Sequence, residues 1–373
     1  MMLSILVVNP GSSSLKLSVV TAAEGKAAHE RELEAPDGRV DEAALRGFLD
    51  GAGPIDAVGV RVVHGGAEFS TSTRVDAAVI ARIDALAGLA PLHNPPAATA
   101  LRVLLRHLPR HPVVACFDTA FHASLPAAAA TYAIPWEWTE RWAIRRYGFH
   151  GLSHAYASRR AAELVGRPLG RLGTVTCHLG AGASLAAVQG GVSVDTTMGF
   201  TPLEGLVMAT RSGSVDPGLL LWLQREAGMG PGALERALER ESGLLGLSGV
   251  SGDMRAVAAA AEHHQGRARL ALDVYGHRLC AGIGAMAVSL HRFDALVFTG
   301  GVGEHDAAVR ARVCARLGLL GVPATLDDPE AGRDAVISPQ GAAVAVLVVH
   351  AREDLEIARE VRRVLGSAPP STP

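Results

Sequence analysis

Near its start the chain reads Val7-Val8-Asn9-Pro10-Gly11-Ser12-Ser13-Ser14-Leu15-Lys16, and this stretch decides how the rest of the fold is interpreted. An apolar run precedes the turn and apolar residues resume after it, which predicts two strands joined by a polar turn. Gly11 permits a tight turn, and the serine hydroxyls and successive N–H groups can enclose an anion, to which Lys16 adds a positive charge. Two interpretations stay open at this point: an ordinary polar hairpin turn, or a loop that holds phosphate.

Two further glycine-rich loops favour the phosphate interpretation. A strand at Thr174–Cys177 enters His178-Leu179-Gly180-Ala181-Gly182-Ala183-Ser184, and Leu185–Val188 returns, as in the opening hairpin. The repeat predicts two domains of one duplicated fold that share a cleft. A third loop, Gly300-Gly301-Val302-Gly303-Glu304-His305, joins a strand to a helix, a connection that presents N–H groups to a phosphate or lets a nucleotide lie on bare backbone.

Two arginines lie next to glycine-rich turns. Arg61 interrupts the apolar strand Val58–Val63, and Arg211 lies in the long polar loop 195–216. Loops of that length in compact domains are usually functional. Arg61 is open to two interpretations: an edge-strand arginine that reaches water, or a guanidinium directed at an anion.

An acid and a histidine complete the candidate set. Asp118 directly follows the strand Val113–Phe117, at the strand end where open α/β sheets bind ligands. It is either a helix cap or a site residue. His150, in Gly148-Phe149-His150-Gly151, is either a buried structural histidine or a residue that approaches a ligand.

Composition bounds the class of protein. The 373 residues are 49% hydrophobic, which is enough for two domain cores, and a net charge of −2 argues against nucleic acid as a partner. No apolar run approaches the roughly 18 residues of a membrane-spanning helix, and the N-terminus lacks a charged signal-peptide region. The four cysteines are widely spaced without a C-x-x-C pair, so we expect a reducing cytoplasm and no zinc site.

Phosphoryl transfer is the chemistry that this inventory fits best, because it needs positioning and cationic neutralisation more than covalent help. A hydroxyl acceptor would need a general base, for which Asp118 could serve. A carboxylate acceptor, with a pKa near about 4, is already ionised and needs arginines instead. Spacing alone leaves both acceptors open.

Seven motifs together resemble the acetokinase family of carboxylate kinases, in the family's order and across nearly the whole chain. They are Asn9–Lys16, Arg61–Gly66, Phe117–His122, Arg146–Gly151, Asp195–Leu203, Thr210–Gly213 and Thr299–Glu304. The resemblance implies an α/β duplicated fold like that of actin, Hsp70 and sugar kinases (ribonuclease H-like), with two domains around a central cleft. Residues 1–122 with 354–373 would form the acetate and Mg²⁺ domain, and residues 123–353 the nucleotide-binding and dimerisation domain of a homodimer.

The resemblance further implies reversible, direct in-line transfer of the ATP γ-phosphate to acetate. Arg61 and Arg211 would grip the carboxylate and the planar phosphoryl group, His150 would hydrogen-bond that group in the transition state, and Asp118 would orient Arg211. Asn9 and Glu353 would hold Mg²⁺ (or Mn²⁺). The residues implied for substrate binding are Arg61, Val63, Leu92, His93, Phe149 and Pro202, of which Val63, Leu92, Phe149 and Pro202 would form an apolar pocket for the acetate methyl group.

The nucleotide is assigned in the same way. Ser12, Ser14 and Lys16 would support the metal and the phosphates, residues 178–182 would embrace the β- and γ-phosphates, and residues 300–303 would lie along the adenosine. The residues implied for ATP binding are Ser12, Ser14, Lys16, His178, Leu179, Gly180, Ala181, Gly182, Asp253, Met254, Arg255, Gly300, Gly301, Val302 and Gly303.

Three single positions and one four-residue segment depart from the family pattern. Ala181 and His305 each replace the usual asparagine, and Ala351-Arg352-Glu353-Asp354 replaces the usual Thr-Asn-Glu-Glu before the last helix. Pro10 replaces the commoner alanine. Two rival functions remain: a propionate or butyrate kinase, and an actin- or Hsp70-like ATPase, which would need no carboxylate-binding arginines.

Overall fold

A computed structural model describes residues 3–11, 14–21, 27–36, 40–327 and 332–366. The described residues form two compact units. The first contains the chain up to Ala123, Phe149–Tyr156 and the residues from Arg352 onward, and the second contains Ser124–Gly148 and Ala157–Ala351. The separate roles assigned above to residues 1–122 with 354–373 and to 123–353 stay a prediction.

Both units combine strands and helices. The strands are β1 (Ile5–Pro10), β2 (Ser14–Val20), β3 (Ala27–Glu34), β4 (Ala57–Val62), β5 (Thr73–Arg74), β6 (Val113–Phe117), β7 (Gly173–Leu179), β8 (Ala183–Gln189), β9 (Val192–Thr196), β10 (Ala295–Thr299), β11 (Ala335–Val336) and β12 (Ala345–Val348). The α-helices are α1 (Glu42–Gly51), α2 (Ala77–Ala85), α3 (Asn94–His107), α4 (Ala127–Ala130), α5 (Trp136–Trp142), α6 (Gly151–Leu164), α7 (Pro217–Glu226), α8 (Pro231–Arg240), α9 (Gly243–Ser248), α10 (Met254–Glu262), α11 (Gly266–Val288), α12 (Gly300–His305), α13 (Ala307–Cys314) and α14 (Glu353–Val364).

The two sheets have the same topology. The first unit contains a sheet with the order β3-β2-β1-β4-β6-β5, and the second a sheet with the order β9-β8-β7-β10-β12-β11. In each, the opening hairpin pairs antiparallel, and its first strand then pairs in parallel with the next central strand. The duplicated fold predicted from the two glycine-rich hairpins is therefore confirmed.

The parallel strands β1, β4 and β6 of the first sheet are buried on both faces, as expected for apolar parallel strands. One face packs on α1, α2 and α3, and the other on α14, whose Ile357 and Val361 are fully buried. Gly59 of β4 allows the close approach of α14, because a Cβ there would lie 2.5 Å from Ile357 Cγ2 and 2.7 Å from Val361 Cγ2. The C-terminal helix thus fixes the strand that carries Arg61.

Two helix starts show how far local sequence signals predict the structure. Asp216 followed by Pro217 predicts a helix start, and this is confirmed: Asp216 caps α7 by accepting from the Gly218 N–H, and Pro217 is the first helical residue. Asn94 followed by Pro95 predicts an N-cap at Asn94, and this prediction is wrong, because the N-cap residue of α3 is His93 and Asn94 is the first helical residue. Within the described part of the chain, no helix combines the length and the apolar character needed to cross a membrane.

Candidate functional site

Three predicted site residues meet at one end of the first sheet. Asn9 is near the end of β1, Arg61 near the end of β4, and Asp118 directly after β6. Because β1, β4 and β6 are parallel neighbours, their carboxyl ends lie at the same edge, where open α/β sheets bind ligands. The fold therefore brings together polar residues that are far apart in sequence.

Arg61 and Asp118 form a two-pronged ion pair. Nε of Arg61 donates to Oδ1 of Asp118 at 2.8 Å, and Nη2 donates to Oδ2 at 2.6 Å. Asp118 is fully buried, whereas the Arg61 side chain keeps 16% of its surface exposed. The two bonds to Asp118 therefore fix the orientation of the Arg61 guanidinium.

The surroundings of this pair favour the charged forms of both the Arg61 guanidinium and the Asp118 carboxylate. Burial opposes the charge of Arg61, but attraction to Asp118 and Glu353 and the hydrogen bonds to Asp118 outweigh burial and raise the pKa of Arg61. Burial raises the pKa of the Asp118 carboxyl, while Arg61 and the backbone N–H of His150 oppose that rise. Because both Asp118 oxygens accept N–H bonds from a cation, the pair is ionised in this geometry.

Asn9 and Glu353 extend the cluster. Asn9 donates its side-chain N–H to Glu353 Oε2 at 3.0 Å and accepts from Arg61 Nη1 at 3.1 Å. Mg²⁺ prefers oxygen ligands and is usually held by one or two carboxylates together with substrate phosphates. The described residues contain no group of three or more His, Cys, Asp or Glu side chains that could hold a metal. Asn9 and Glu353 contribute an amide oxygen and a carboxylate, which are the kinds of ligand that this ion prefers.

His150 has an unusual backbone. Its φ of 55° lies in the left-handed region, which costs a non-glycine residue free energy and is enriched at functional sites. The next residue, Gly151, starts α6 directly against the Asp118 turn, and a Cβ there would overlap the Asp118 backbone oxygen. His150 is thus held beside Asp118, and its role as a site residue stays a prediction.

Phe149 is enclosed by histidines of the first unit. Its ring meets the His64 ring edge-on at 5.2 Å, and its carbonyl accepts from Nε2 of His122 at 3.0 Å. His64 is in turn fixed by Asn94, which accepts from the His64 N–H at 3.1 Å and donates to its carbonyl at 2.9 Å. The role of Asn94 was missed because this contact is long-range.

The other predicted substrate residues of the first unit differ in exposure. Val63 and Phe149 are buried, at 7% and 1% exposed, whereas Leu92 is 38% exposed. His93 is the N-cap residue of α3. Their shared role as a methyl pocket stays a prediction, as does that of Pro202, which belongs to the second unit.

The first glycine-rich loop is described only in part. Gly11 donates its N–H to the Ser14 carbonyl at 2.7 Å and so closes the turn. Lys16 pairs with Asn9 in the β1–β2 ladder and is exposed. Ser12 lies outside the described residues. The exposed ammonium and closed turn are compatible with the predicted phosphate role.

In the second unit, the other two loops lie side by side. β7 and β10 are parallel and pair His178 with Thr299, so residues 178–182 and 300–303 begin at the same sheet edge. Gly300 has a φ of 76°, and a Cβ there would lie only 2.8 Å from the Leu179 carbonyl oxygen. Glu304 accepts from the Gly300 N–H at 2.8 Å and from the Ala351 N–H at 2.9 Å, a structural role that the sequence did not indicate.

The second unit contains a cavity of about 390 Å³, and the residues that line it come after one or both of these loops along the chain. It is lined by residues of α10, α11 and the segment after α12, among them Met254, Tyr275, Asp306 and Val309. Met254 is predicted to bind the nucleotide, and its neighbours Asp253 and Arg255 form an exposed ion pair at 2.6 Å next to it. The cavity is large enough for a nucleobase with part of its sugar.

Arg211, in the second unit, is half-buried. Nη1 donates to the Pro202 carbonyl at 2.6 Å, and burial lowers the pKa of Arg211 against the opposing attraction of Glu239. Arg211 and Asp118 belong to different units, so the predicted orientation of Arg211 by Asp118 stays a prediction.

Comparisons with known proteins agree on one family. The model of the acetokinase family matches residues 40–359. An acetate kinase from Gloeobacter violaceus is 55% identical over 311 residues, which cover 82% of this chain and 76% of that protein.

Two solved structures are similar over almost their full length. The Porphyromonas gingivalis acetate kinase has a TM-score of 0.88 and 35% identity, and covers 97% of this chain and 99% of its own. A propionate kinase from Francisella tularensis has a TM-score of 0.85 and 35% identity, and covers 96% of this chain and 99% of its own.

Proposed function

The chain belongs to the acetokinase family, and on that premise we propose that it is an acetate kinase. It transfers the γ-phosphate of ATP to acetate, reversibly, giving acetyl phosphate and ADP. The observation that most directly supports this proposal is the fixed position of the Arg61 guanidinium. Both oxygens of Asp118 accept hydrogen bonds from it at the end of a strand. A guanidinium fixed in this way can pair with a small carboxylate.

The reaction needs no general base. Acetate, with a pKa near about 4, is ionised at neutral pH. One of its oxygens bonds to the γ-phosphorus as the bond from that phosphorus to the ADP oxygen breaks, and no proton has to be removed. Asp118 is therefore proposed as a positioning residue for Arg61, because both of its oxygens are occupied by that side chain.

Cationic groups reduce the repulsion between acetate and the transferred phosphate. Arg61 is proposed to bind the carboxylate, Arg211 the planar phosphoryl group, and His150 to hydrogen-bond that group in the transition state. The strained backbone of His150 beside Asp118 supports this role.

Asn9 and Glu353 are proposed to hold Mg²⁺ that arrives with ATP. When bound, the ion neutralises charge on the phosphate oxygens. Arg352 ahead of Glu353 pairs with Asp354 at 2.8 Å, and Glu353 Oε2 accepts from the Asn9 side chain at 3.0 Å.

The nucleotide is proposed to occupy the loops and cavity of the second unit. The N–H groups at the start of α12 suit phosphates or ribose, and the cavity beside Met254 suits the base. Ala181 removes a side-chain donor from the second loop but leaves its backbone N–H groups available.

Propionate is the second candidate acceptor, favoured by the similarity to the F. tularensis propionate kinase. Buried Val63 and Phe149 favour a short acyl chain. One methylene changes discrimination by only about 1–3 kcal/mol, so kcat/KM should be measured for acetate, propionate and butyrate. A clear preference for butyrate would contradict the assignment.

The decisive experiment traps the acyl phosphate with hydroxylamine. We expect acyl hydroxamate only when ATP, Mg²⁺ and acetate are all present. An actin- or Hsp70-like ATPase would release phosphate without hydroxamate, and that result would refute the proposal.

The chain is further proposed to work as a cytoplasmic homodimer. Its four cysteines are buried and free, which suits a reducing compartment. Helix α7 exposes Leu219, Leu221 and Trp222, which a second copy could cover. Sedimentation velocity should give a dimer, and the mass of a single chain would contradict this part.

A further inference from the structure

We infer that Tyr132, Arg146 and Glu204 position Arg211, acting through the loop that contains Pro202. We call these three residues the Glu204 network. The inference rests on the proposed function, because it explains how the arginine assigned to the phosphoryl group is held. All of the residues involved belong to the second unit.

Glu204 is the centre of the network. One carboxylate oxygen accepts from the Tyr132 hydroxyl at 2.5 Å, and the other accepts from Arg146 Nη2 at 2.8 Å. The Arg146 guanidinium also lies over the Tyr132 ring, 5.4 Å from its centroid. Each member therefore contacts the other two.

The same side chains fix the backbone before Pro202. The Tyr132 oxygen accepts from the Phe200 N–H at 2.9 Å, while Arg146 Nη1 donates to the carbonyls of Thr197 and Met198 at 3.1 and 3.2 Å. Several independent hydrogen bonds thus determine the course of residues 197–200.

Gly199 shows how closely the network approaches the loop. A Cβ at this position would overlap both the Glu204 carboxylate and the Tyr132 hydroxyl. The Gly199 carbonyl accepts from the Tyr147 N–H at 3.0 Å, which ties the loop to the segment that leads into Phe149. The loop has no room to shift without breaking these contacts.

Pro202 connects the Glu204 network to Arg211. The Pro202 carbonyl accepts from Arg211 Nη1 at 2.6 Å. Along the chain, Pro202 lies between residues 197–200, which the network fixes, and Glu204. The Arg211 backbone is held separately, through the Met208 N–H that donates to its carbonyl at 3.2 Å. The Glu204 network therefore determines where the guanidinium points.

The test uses two conservative variants of the network. Tyr132→Phe removes the hydroxyl that bonds Glu204 and Phe200, and Glu204→Gln removes the charge that attracts Arg146. Each should lower kcat about 10–100-fold, as losses of supporting contacts commonly do, and leave KM for ATP within about twofold. Glu163→Gln breaks another 2.8 Å arginine–glutamate pair of the same unit and should leave kcat unchanged.

A mutant cycle with Arg211→Ala separates positioning from general structural damage. If the network acts through Arg211, Tyr132→Phe and Glu204→Gln should reduce kcat by less than about twofold in the Arg211→Ala background. Losses that multiply in that background, or single variants with normal kcat, would overturn the inference. Thermal denaturation checks folding, and Glu204→Gln decides the matter if Tyr132→Phe does not fold.

The hydroxamate assay on the wild-type chain distinguishes failure of the proposed function from failure of this inference. Failure to form hydroxamate would refute the proposed function itself. Hydroxamate formation with multiplicative losses in the cycle would refute only the role of the Glu204 network.

Discussion

Asp118 holds Arg61 by two parallel N–H···O bonds, of 2.8 and 2.6 Å, at the ends of adjacent parallel strands. Parallel bonds of this kind fix both the position and the plane of a guanidinium. The two acceptor oxygens are thereby occupied, which favours an orienting role for Asp118 over that of a base.

Asp118→Asn should lower kcat by roughly 10² to 10³, comparable to the roughly 10³ or more expected for Arg61→Ala. An amide replaces one acceptor oxygen with an NH₂ group, which faces the Arg61 donors and disrupts the fork. Steady-state rates from the hydroxamate assay give the result.

The matched control is Asp84→Asn, which weakens an exposed ion pair with Arg102 in the same unit. Exposed pairs contribute little, so its kcat should equal that of the wild-type chain. An Asp118→Asn variant as active as this control would eliminate the proposed role of Asp118.

Alanine substitutions at two glycines of the first unit should change the free energy of unfolding in opposite directions. Gly59→Ala pushes against Ile357 and Val361 of α14 and should reduce the free energy of unfolding by about 1–3 kcal/mol. Gly47 is exposed within α1 with no atom within 4 Å of a Cβ, so Gly47→Ala should increase it by about 0.5–1 kcal/mol. Urea unfolding measures both, and shifts of the same sign would contradict the packing described for β4.

His122 should make the first unit sensitive to acid. Burial lowers the pKa of His122 from 6.5 to about 4, although the hydrogen bond to Phe149 opposes that shift. Above pH 6.5 both folded and unfolded chains carry neutral imidazole. As the pH falls from 6.5 to 4, only the unfolded chain gains the proton, so stability declines by about 3 kcal/mol from this group.

His122→Gln keeps an N–H for the Phe149 carbonyl but does not titrate. Its unfolding free energy should therefore fall less steeply than that of the wild-type chain between pH 6.5 and 4. Parallel slopes for the two proteins would mean that His122 does not carry the acid sensitivity.

Local patterns in the sequence predicted the positions of strands and turns but not which strands are neighbours in the sheet. The apolar alternation around Gly11 and again around Gly180 indicated both hairpins, and Asp118 was placed correctly at a strand end. Which strands are neighbours is a tertiary property, so the convergence of Asn9 and Arg61 on Asp118 became visible only in the sheet order.

Long-range polar contacts were the other limit. Asn94 has the preference of an N-cap residue, yet its side chain bonds the backbone of His64, thirty positions earlier. Tyr132 and Glu204 meet across 72 positions. Such contacts override local preference because a buried polar group must find a partner wherever the fold supplies one.

Ala258 offers a test of the proposed base site, because it lines the cavity next to Met254 in α10. Ala258→Phe would fill part of the roughly 390 Å³ that we assign to the nucleobase. We expect KM for ATP to rise by about tenfold or more, since displaced apolar contacts of this size are worth more than about 1.4 kcal/mol. The acetate KM should stay the same, because Val63 and Phe149 belong to the other unit, and kcat at saturating ATP should change little.

Initial rates with each substrate varied in turn measure these constants. Ala259→Ser, on the exposed side of the same helix, controls for effects on α10 itself. An unchanged KM for ATP in a folded Ala258→Phe variant would place the base elsewhere.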